Sequence, residues 1–350
     1  MHCIICGEKT ENIVCPVCGF DASRCAELYP TFSKELDLGE AIWEYRYKCW
    51  SNRTFKAPST PTSSFEMQIH MMNPLNKTIA VGSGWNNNYV IGIKPDGSVV
   101  SAGFNTVTGS RAFSAVASAI SVAAGTYHAV CLLSDGTVVA RGDSRFGQCD
   151  VRNWSEDKAI GAGYVCTVGL RFDGTVLGCG ELYNGKEWTT SWQEEINNWK
   201  DIVYITSGCN HIVGMRRDGS AFVCGNKLFF NISKWKKILS LAIGDGFAIG
   251  LCSDGTVEKT LWAPDISILL NNRSTALAAG QDHVVGLRED GTVVIADKKT
   301  GSKTLSWTDV VSVAAGDGLT AGLRKDGAVL ITGKSSRKLS EVKNWRLRVP

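Results

Sequence analysis

From residue 77 onward, short apolar runs alternate with polar turns in a unit that returns about every 36 residues. The run SVAAGTYHAVCLLSDGTVVARG at 121–142 recurs as SVAAGDGLTAGLRKDGAVLITG at 312–333, and such a period is the signature of a repeat architecture. An Asp-Gly pair marks every copy, with glycines at Gly97, Gly136, Gly174, Gly219, Gly255, Gly291 and Gly327. Each pair lies between runs of β-formers such as VVGL and TVVI, the pattern of two strands joined by a tight hairpin with glycine supplying positive φ. Eleven residues before the hairpin glycine stands another, at Gly125, Gly163, Gly208, Gly244, Gly280 and Gly316. Two alanines precede it in several copies, so this strand of small side chains is expected nearest an axis on which the sheets converge.

Nine residues before that second glycine comes a tryptophan in four copies, Trp154, Trp199, Trp235 and Trp307, and a ring at one fixed phase is expected to fill the space between neighbouring sheets. Trp345 holds the same phase, but the chain stops before another small-residue strand. KTIAVGSG at 77–84 offers such a strand ahead of the first hairpin. The pattern therefore predicts an all-β, seven-bladed β-propeller over 77–350, in which the N-terminal strand closes the last blade and removes the open sheet edges.

The first 76 residues break this pattern. Cys3, Cys6, Cys15 and Cys18 form two Cys-x-x-Cys pairs that can each give two thiolates to a tetrahedral Zn²⁺, so 1–20 reads as a small zinc ribbon whose metal is structural. Cys25 falls outside the spacing, and nothing nearby suggests the electron transfer of an iron-sulfur site. Residues 21–56 contain Leu36, Ile42, Trp43, Tyr47 and Trp50 at helical intervals and predict a short helical segment. APSTPTSS opens a turn-rich linker over 57–76.

Composition narrows the function class. Apolar residues make up 44% of the 350, enough for a sizeable core, and no run approaches the roughly 20 apolar residues of a membrane span. Met1 is followed by His-Cys-Ile-Ile-Cys instead of a basic-then-apolar leader, and the nine cysteines outside the ribbon are scattered, which suits a reducing compartment and a cytoplasmic location. A net charge of +3 does not advertise nucleic-acid binding, although from Gly322 onward eight Lys and Arg face two acids. That excess reads as a solvated face before it reads as a phosphate-binding patch.

The AAGxxHxVxLxxDGTVVAxG pattern and the GDSRFGQC segment at 142–149, with Ser at the Asn place of a Gly-x-Asn-x-x-Gly-Gln motif, resemble the regulator of chromosome condensation repeat family. The resemblance spans about 270 residues and implies a propeller. That family includes exchange factors for a small GTPase, chromatin-binding proteins, ubiquitin-ligase appendages and a secreted bacterial inhibitor of β-lactamases, so it implies a protein partner without naming one. The fifth copy departs from it, since LWAPDISILL replaces the second glycine motif. The Cys-Pro-x-Cys-Gly-Phe ribbon is similar to those heading many bacterial proteins, which implies a prokaryotic source.

Catalytic signals fail individually. Gly180-x4-Gly185-Lys186 is followed by Glu187, not by the Ser or Thr of a phosphate loop, and no zincin helix or nucleophile elbow occurs. His128, His211 and His283 share one repeat phase that elsewhere accepts Tyr89, Cys166, Phe247 and Leu319, so they read as packing residues. The Asp of each Asp-Gly pair reads as a cap of its own turn.

Binding is expected from residues that break the repeat. The third copy is nine residues longer than 36, and its segment ELYNGKEWTTSWQEEINNW carries Tyr183, Trp188 and Trp192 as candidate anchors for a protein partner. Trp85, Arg145, Phe146 and Trp262 are secondary candidates. The resulting expectation is a non-catalytic protein-interaction scaffold or adaptor. The alternatives are a guanine-nucleotide exchange factor for a small GTPase, or a nucleic-acid or chromosome-associated protein that uses the ribbon and the basic last blade.

Overall fold

The computed structural model describes residues 77–82, 88–103, 113–226, 232, 234–253, 256–270, 274–334 and 337–350. The expected zinc ribbon, helical segment and linker, together with Trp85, lie outside the described residues.

Seven separate antiparallel sheets follow one another along the chain, at 79–103, 119–142, 157–189, 202–225, 238–259, 274–304 and 310–333, called blades 1 to 7 here. Among the described residues five have three strands, while blades 3 and 6 add a fourth. The first strand of each blade, such as Ala119–Ala124 in blade 2 or Val310–Ala315 in blade 7, touches its counterparts in the blades before and after. Blade 1 touches blade 7 in the same way, so the ring is closed and these seven strands surround its axis.

Two local devices recur among the described residues of the blades. At the hairpins Gly97, Gly136, Gly174, Gly219, Gly291 and Gly327 have φ between 74° and 84°, and the preceding aspartate caps the turn, as where Asp135 Oδ1 accepts from Thr137 N–H at 3.0 Å. At the other end of the inner strand a glycine is required because a ring from the next strand lies on it. A Cβ on Gly125 would meet the His128 ring at 2.5 Å and one on Gly280 the His283 ring at 2.5 Å. The expected packing histidines are therefore core residues, each buried and hydrogen-bonded: His128 Nε2 to Thr167 Oγ1 of blade 3 at 2.8 Å, His283 Nε2 to Thr320 Oγ1 of blade 7 at 3.0 Å, and His211 Nε2 to the Asn226 carbonyl at 2.6 Å. Tyr89 holds this phase in blade 1 and donates its hydroxyl toward the Gly125 and His128 carbonyls of blade 2.

The tryptophans also rest on glycines. Trp154 lies on Gly169, Trp199 on Gly214, Trp235 on Gly250 and Trp307 on Gly322, each on the middle strand of its own blade. Blade 2 solves the same volume problem differently, with Val116 at the tryptophan phase and Cys131 at the glycine phase, both buried in one cluster. In blade 6 Leu269, from the short helix α2 (Ser267–Leu270), takes the ring's place over Gly286.

The closure differs from the expected one. Ile79–Gly82 does not complete blade 7; it pairs with Tyr89–Ile93 in blade 1, from Ile79↔Gly92 to Gly82↔Tyr89. A neighbour a few residues along the chain is cheaper to pair than one at the far terminus, and blade 7 already has its three strands from 310–333. The C-terminal segment makes the join instead. Leu347 lies on Gly92, its N–H donates to the Gly327 carbonyl at 2.8 Å, and Arg348 N–H donates to the Ile93 carbonyl at 2.8 Å. Ile79, Val81 and Val90 share a core cluster with Leu319, Leu323, Leu339, Val342 and Leu347.

Candidate functional site

Because every inner strand runs in the same sense, the ring has two unlike faces. The hairpin face carries the Asp-Gly turns, where hydrogen bonds from the residue two places on hold the Asp96, Asp218 and Asp290 carboxyls below the usual range. The opposite face, the mouth face, carries the loops after the inner-strand glycines and the segments that leave each third strand.

Exposed apolar side chains collect on the mouth face. Of six large ones exposed among the described residues, four lie there: Phe146 (43%), Trp188 (42%), Leu261 (90%) and Trp262 (55%). Phe146 is in the GDSRFGQC turn after blade 2, where its N–H donates to Gln148 Oε1 at 2.9 Å, and Gln148 is itself buried. Arg145 beside it forks onto Asp143, with Nη2 to Oδ2 at 2.6 Å, and this pairing leaves its side chain 78% exposed. Leu261 and Trp262 follow the short third strand of blade 5, just after Thr260 donates its N–H to the Ala248 carbonyl at 3.1 Å.

The long third copy supplies a row of rings. Its hairpin pairs Trp188 with Tyr183 past the end of the normal strand and arches inward, so that Trp188 stacks on Tyr164 with centroids 5.5 Å apart and planes at 29°. Tyr183 lies 5.6 Å from Trp188 on one side, and Tyr127 meets Tyr164 edge-on at 5.4 Å on the other, with their hydroxyls 3.3 Å apart. This contact, with partial burial, pushes the Tyr164 hydroxyl up to about 12. Such offset and edge-on pairs fix the rings in place and present a pre-ordered apolar surface.

Trp192 does not belong to this surface. It opens helix α1 (Trp192–Asn197), is 4% exposed, packs on Gly178 with Ile196, and donates Nε1–H to the Gly180 carbonyl at 3.3 Å. Half of the inserted segment thus folds back to fill the gap between blades 3 and 4, because an indole with a glycine beneath it gains more from burial than from exposure. The Gly180–Lys186 stretch is a β-hairpin turn in which Asn184 Oδ1 accepts from Lys186 and Glu187 N–H at 2.9 and 3.1 Å.

Tyr127, Tyr164 and Leu261 were not among the sequence candidates. Tyr164 nonetheless carries a signal, since the residue after the inner-strand glycine is otherwise Thr126, Cys209, Asp245, Gln281 or Asp317 in the described copies. An aromatic there breaks the phase. Among the described residues no group of three His, Cys, Asp or Glu is arranged to hold a metal, and no helix is long and apolar enough to cross a membrane.

Residues 119–148 match the model of the regulator of chromosome condensation (RCC1) repeat. No curated protein sequence matches the chain. Solved structures do. The ectodomain of the Arabidopsis thaliana receptor kinase ACR4 is 19% identical, with 75% of this chain and 98% of that one covered and a TM-score of 0.56. Yeast RCC1 (Prp20) bound to Kap60 is 14% identical over 86% of this chain and 90% of that one, with a TM-score of 0.54. Prp20p from Saccharomyces cerevisiae, in a structure reported with its binding to Gsp1p and histones, is 16% identical over 78% and 84%, with a TM-score of 0.52. The repeat match, the seven antiparallel sheets and these likenesses together make the described residues an RCC1-like β-propeller.

Proposed function

We propose that the chain is a non-catalytic protein-interaction module that binds its partner through the mouth face. The observation that carries this is the gathering of Phe146, Trp188, Leu261 and Trp262 on one side of the ring, next to the ordered Tyr127–Tyr164–Trp188 row. Aromatic anchors beside polar loops are the usual composition of an interface centre. The likeness to yeast Prp20, seen bound to Kap60 and reported with its binding to Gsp1p and histones, supports a macromolecular partner for this fold.

Affinity purification of the intact chain from cells that make it, followed by mass spectrometry, tests the reading. A Trp188→Ser, Trp262→Ser variant should lose a dominant co-purifying protein that a Lys94→Ser, Glu289→Ser variant on the hairpin face retains. Loss from the hairpin-face variant alone would overturn the assignment of the face.

The same reading gives Cys3, Cys6, Cys15 and Cys18 a structural Zn²⁺, supported by their paired spacing. The purified chain should contain one zinc per molecule, and a Cys3→Ser, Cys6→Ser variant none. An iron content, or full zinc in the variant, would defeat this part of the proposal.

A further inference from the structure

The row of rings on the mouth face has a defined shape. Tyr183, Trp188, Tyr164 and Tyr127 follow one another with centroids 5.6, 5.5 and 5.4 Å apart, and among the described residues each touches no ring but its neighbours in the row. The middle pair is stacked at 29°, whereas Tyr183 is tilted by 51° from Trp188 and Tyr127 by 84° from Tyr164, so a corner lies on either side of the stack. All four rings keep part of their surface in solvent. The middles of the two corners are about 8–11 Å apart, and one polyproline II turn of three residues advances about 9 Å.

The backbone beneath the row is tied down. Tyr164 N–H donates to the Cys209 carbonyl of blade 4 at 3.0 Å, Asp143 N–H donates to the Tyr127 carbonyl at 2.9 Å, and Asn184 N–H donates to the Glu187 carbonyl at 3.1 Å across the hairpin turn. A row fixed in this way loses little freedom on binding, and so does a segment that is already extended when free. Other modes fit less well. An added strand needs an edge to pair with, but Trp188–Thr189 is two residues long and runs into helix α1. A helix is about 10–12 Å across and seats its apolar stripe in a trough, not on rings in single file. A proline-rich segment stacks its pyrrolidines on rings and offers carbonyls that have no internal partner. The row meets those carbonyls with donors. Trp188 Nε1–H and the Tyr183 hydroxyl have no partner among the described residues, and only one proton can lie between the Tyr127 and Tyr164 hydroxyls.

Charge narrows the segment further. Glu181 lies on the same strand face as Tyr183, two residues on, and pairs across strands with Val165, the residue after Tyr164. It therefore borders the row, half-buried and without an ion pair or hydrogen bond of its side chain among the described residues. Arg145, the cation at the Tyr127 end, is held by Asp143 at 2.6 Å and is not the partner of Glu181. Resting on the mouth face as the docking surface, we propose that the row takes an extended proline-rich segment of the partner protein in polyproline II form. Two prolines three residues apart occupy the corners, and a flanking Lys or Arg meets Glu181.

A random dodecapeptide display library selected on the full-length protein tests this, with every binder rechecked on a Trp188→Ser variant. Binders lost on that variant should share two prolines three residues apart and a nearby Lys or Arg. In anisotropy titrations of one labelled binder, Trp188→Ser or replacement of either proline by alanine should weaken binding about ten-fold. Glu181→Gln should weaken it about two- to five-fold, the scale of an exposed ion pair. That smaller loss should vanish at about 1 M NaCl, or when the Lys or Arg of the peptide is replaced by Gln. Binders lost on Trp188→Ser that carry no such prolines would overturn the proline-rich segment and leave the mouth face standing, and equal binding by Glu181→Gln would overturn the cationic residue. Binders indifferent to Trp188→Ser, or an empty selection, would overturn the row as the docking site. Only if the protein captured from cells were also retained by Trp188→Ser, Trp262→Ser would the mouth face fall with it.

Discussion

Asp157 is the residue that fits its surroundings least. It begins the inner strand of blade 3 at a phase filled by Ala119, Ile202, Ile238, Ser274 and Val310 elsewhere, is the one charged residue there, is completely buried, and neither carboxylate oxygen has a hydrogen-bond partner. Desolvation pushes its carboxyl up to about 7, against a smaller opposing pull from Arg171. The folded state thus favours the protonated acid more than the unfolded chain does, so stability is highest below about pH 4 as far as this group is concerned. It falls as pH rises through about 7, by an amount on the order of 2–4 kcal/mol. His128 and His211 act in the opposite sense: burial lowers each to about 4, so their contribution is lost as pH falls from the unfolded value near 6.5 toward 4. The two slopes offset each other between pH 4 and 6.5 in the natural protein. Asp157→Asn should raise the urea midpoint at pH 8, show a much smaller gain at pH 5, and uncover a steeper acid loss from the histidines. A gain of equal size at both pH values would show that Asp157 does not titrate in this window.

At the scale of elements, what the sequence makes legible is what repeats. The hairpins, the inner strands and the tryptophan phase recur with fixed spacing because each blade must solve the same steric problem, and a shared problem leaves a shared letter. The aspartates and histidines were readable as turn caps and packing groups for the same reason. The departures are less legible because they involve pairs of positions. Val116 with Cys131 replaces a tryptophan with a glycine, and only the contact shows that the two exchanges compensate in volume. The third-copy insertion shows the limit more sharply. Trp188 and Trp192 lie four residues apart in one aromatic segment, yet one is stacked on the surface and the other is in the core, decided by Gly178 on a strand fourteen residues earlier. Nothing in the spacing of the two rings distinguishes them. Likewise the mouth-face aromatics come from blades 2, 3 and 5, and only the common direction of the inner strands gathers them on one side.

The whole ring poses a different energetic question, because among the described residues no strand is shared between its two ends. Each blade buries its flanks against its neighbours, and blades 1 and 7 would each present an apolar flank to water if the join opened. The join rests on the packing of the inner strands and on a short C-terminal clasp, in which Leu347 covers Gly92 and two backbone hydrogen bonds reach Gly327 and Ile93. Gly92 has the role that Gly169, Gly214, Gly250 and Gly322 have within their own blades, so Leu347 does for the first blade what a tryptophan does for the others. A leucine 2% exposed at such a site stabilises by its own burial and by excluding a cavity, and Leu347→Ala should cost about 2–4 kcal/mol in denaturant unfolding. If the clasp holds the ring shut, the same substitution should also speed exchange of the Leu347 and Arg348 amides and of the blade 1 amides, relative to those of blade 4. A cost below about 1 kcal/mol with uniform exchange would mean that the inner strands close the ring unaided.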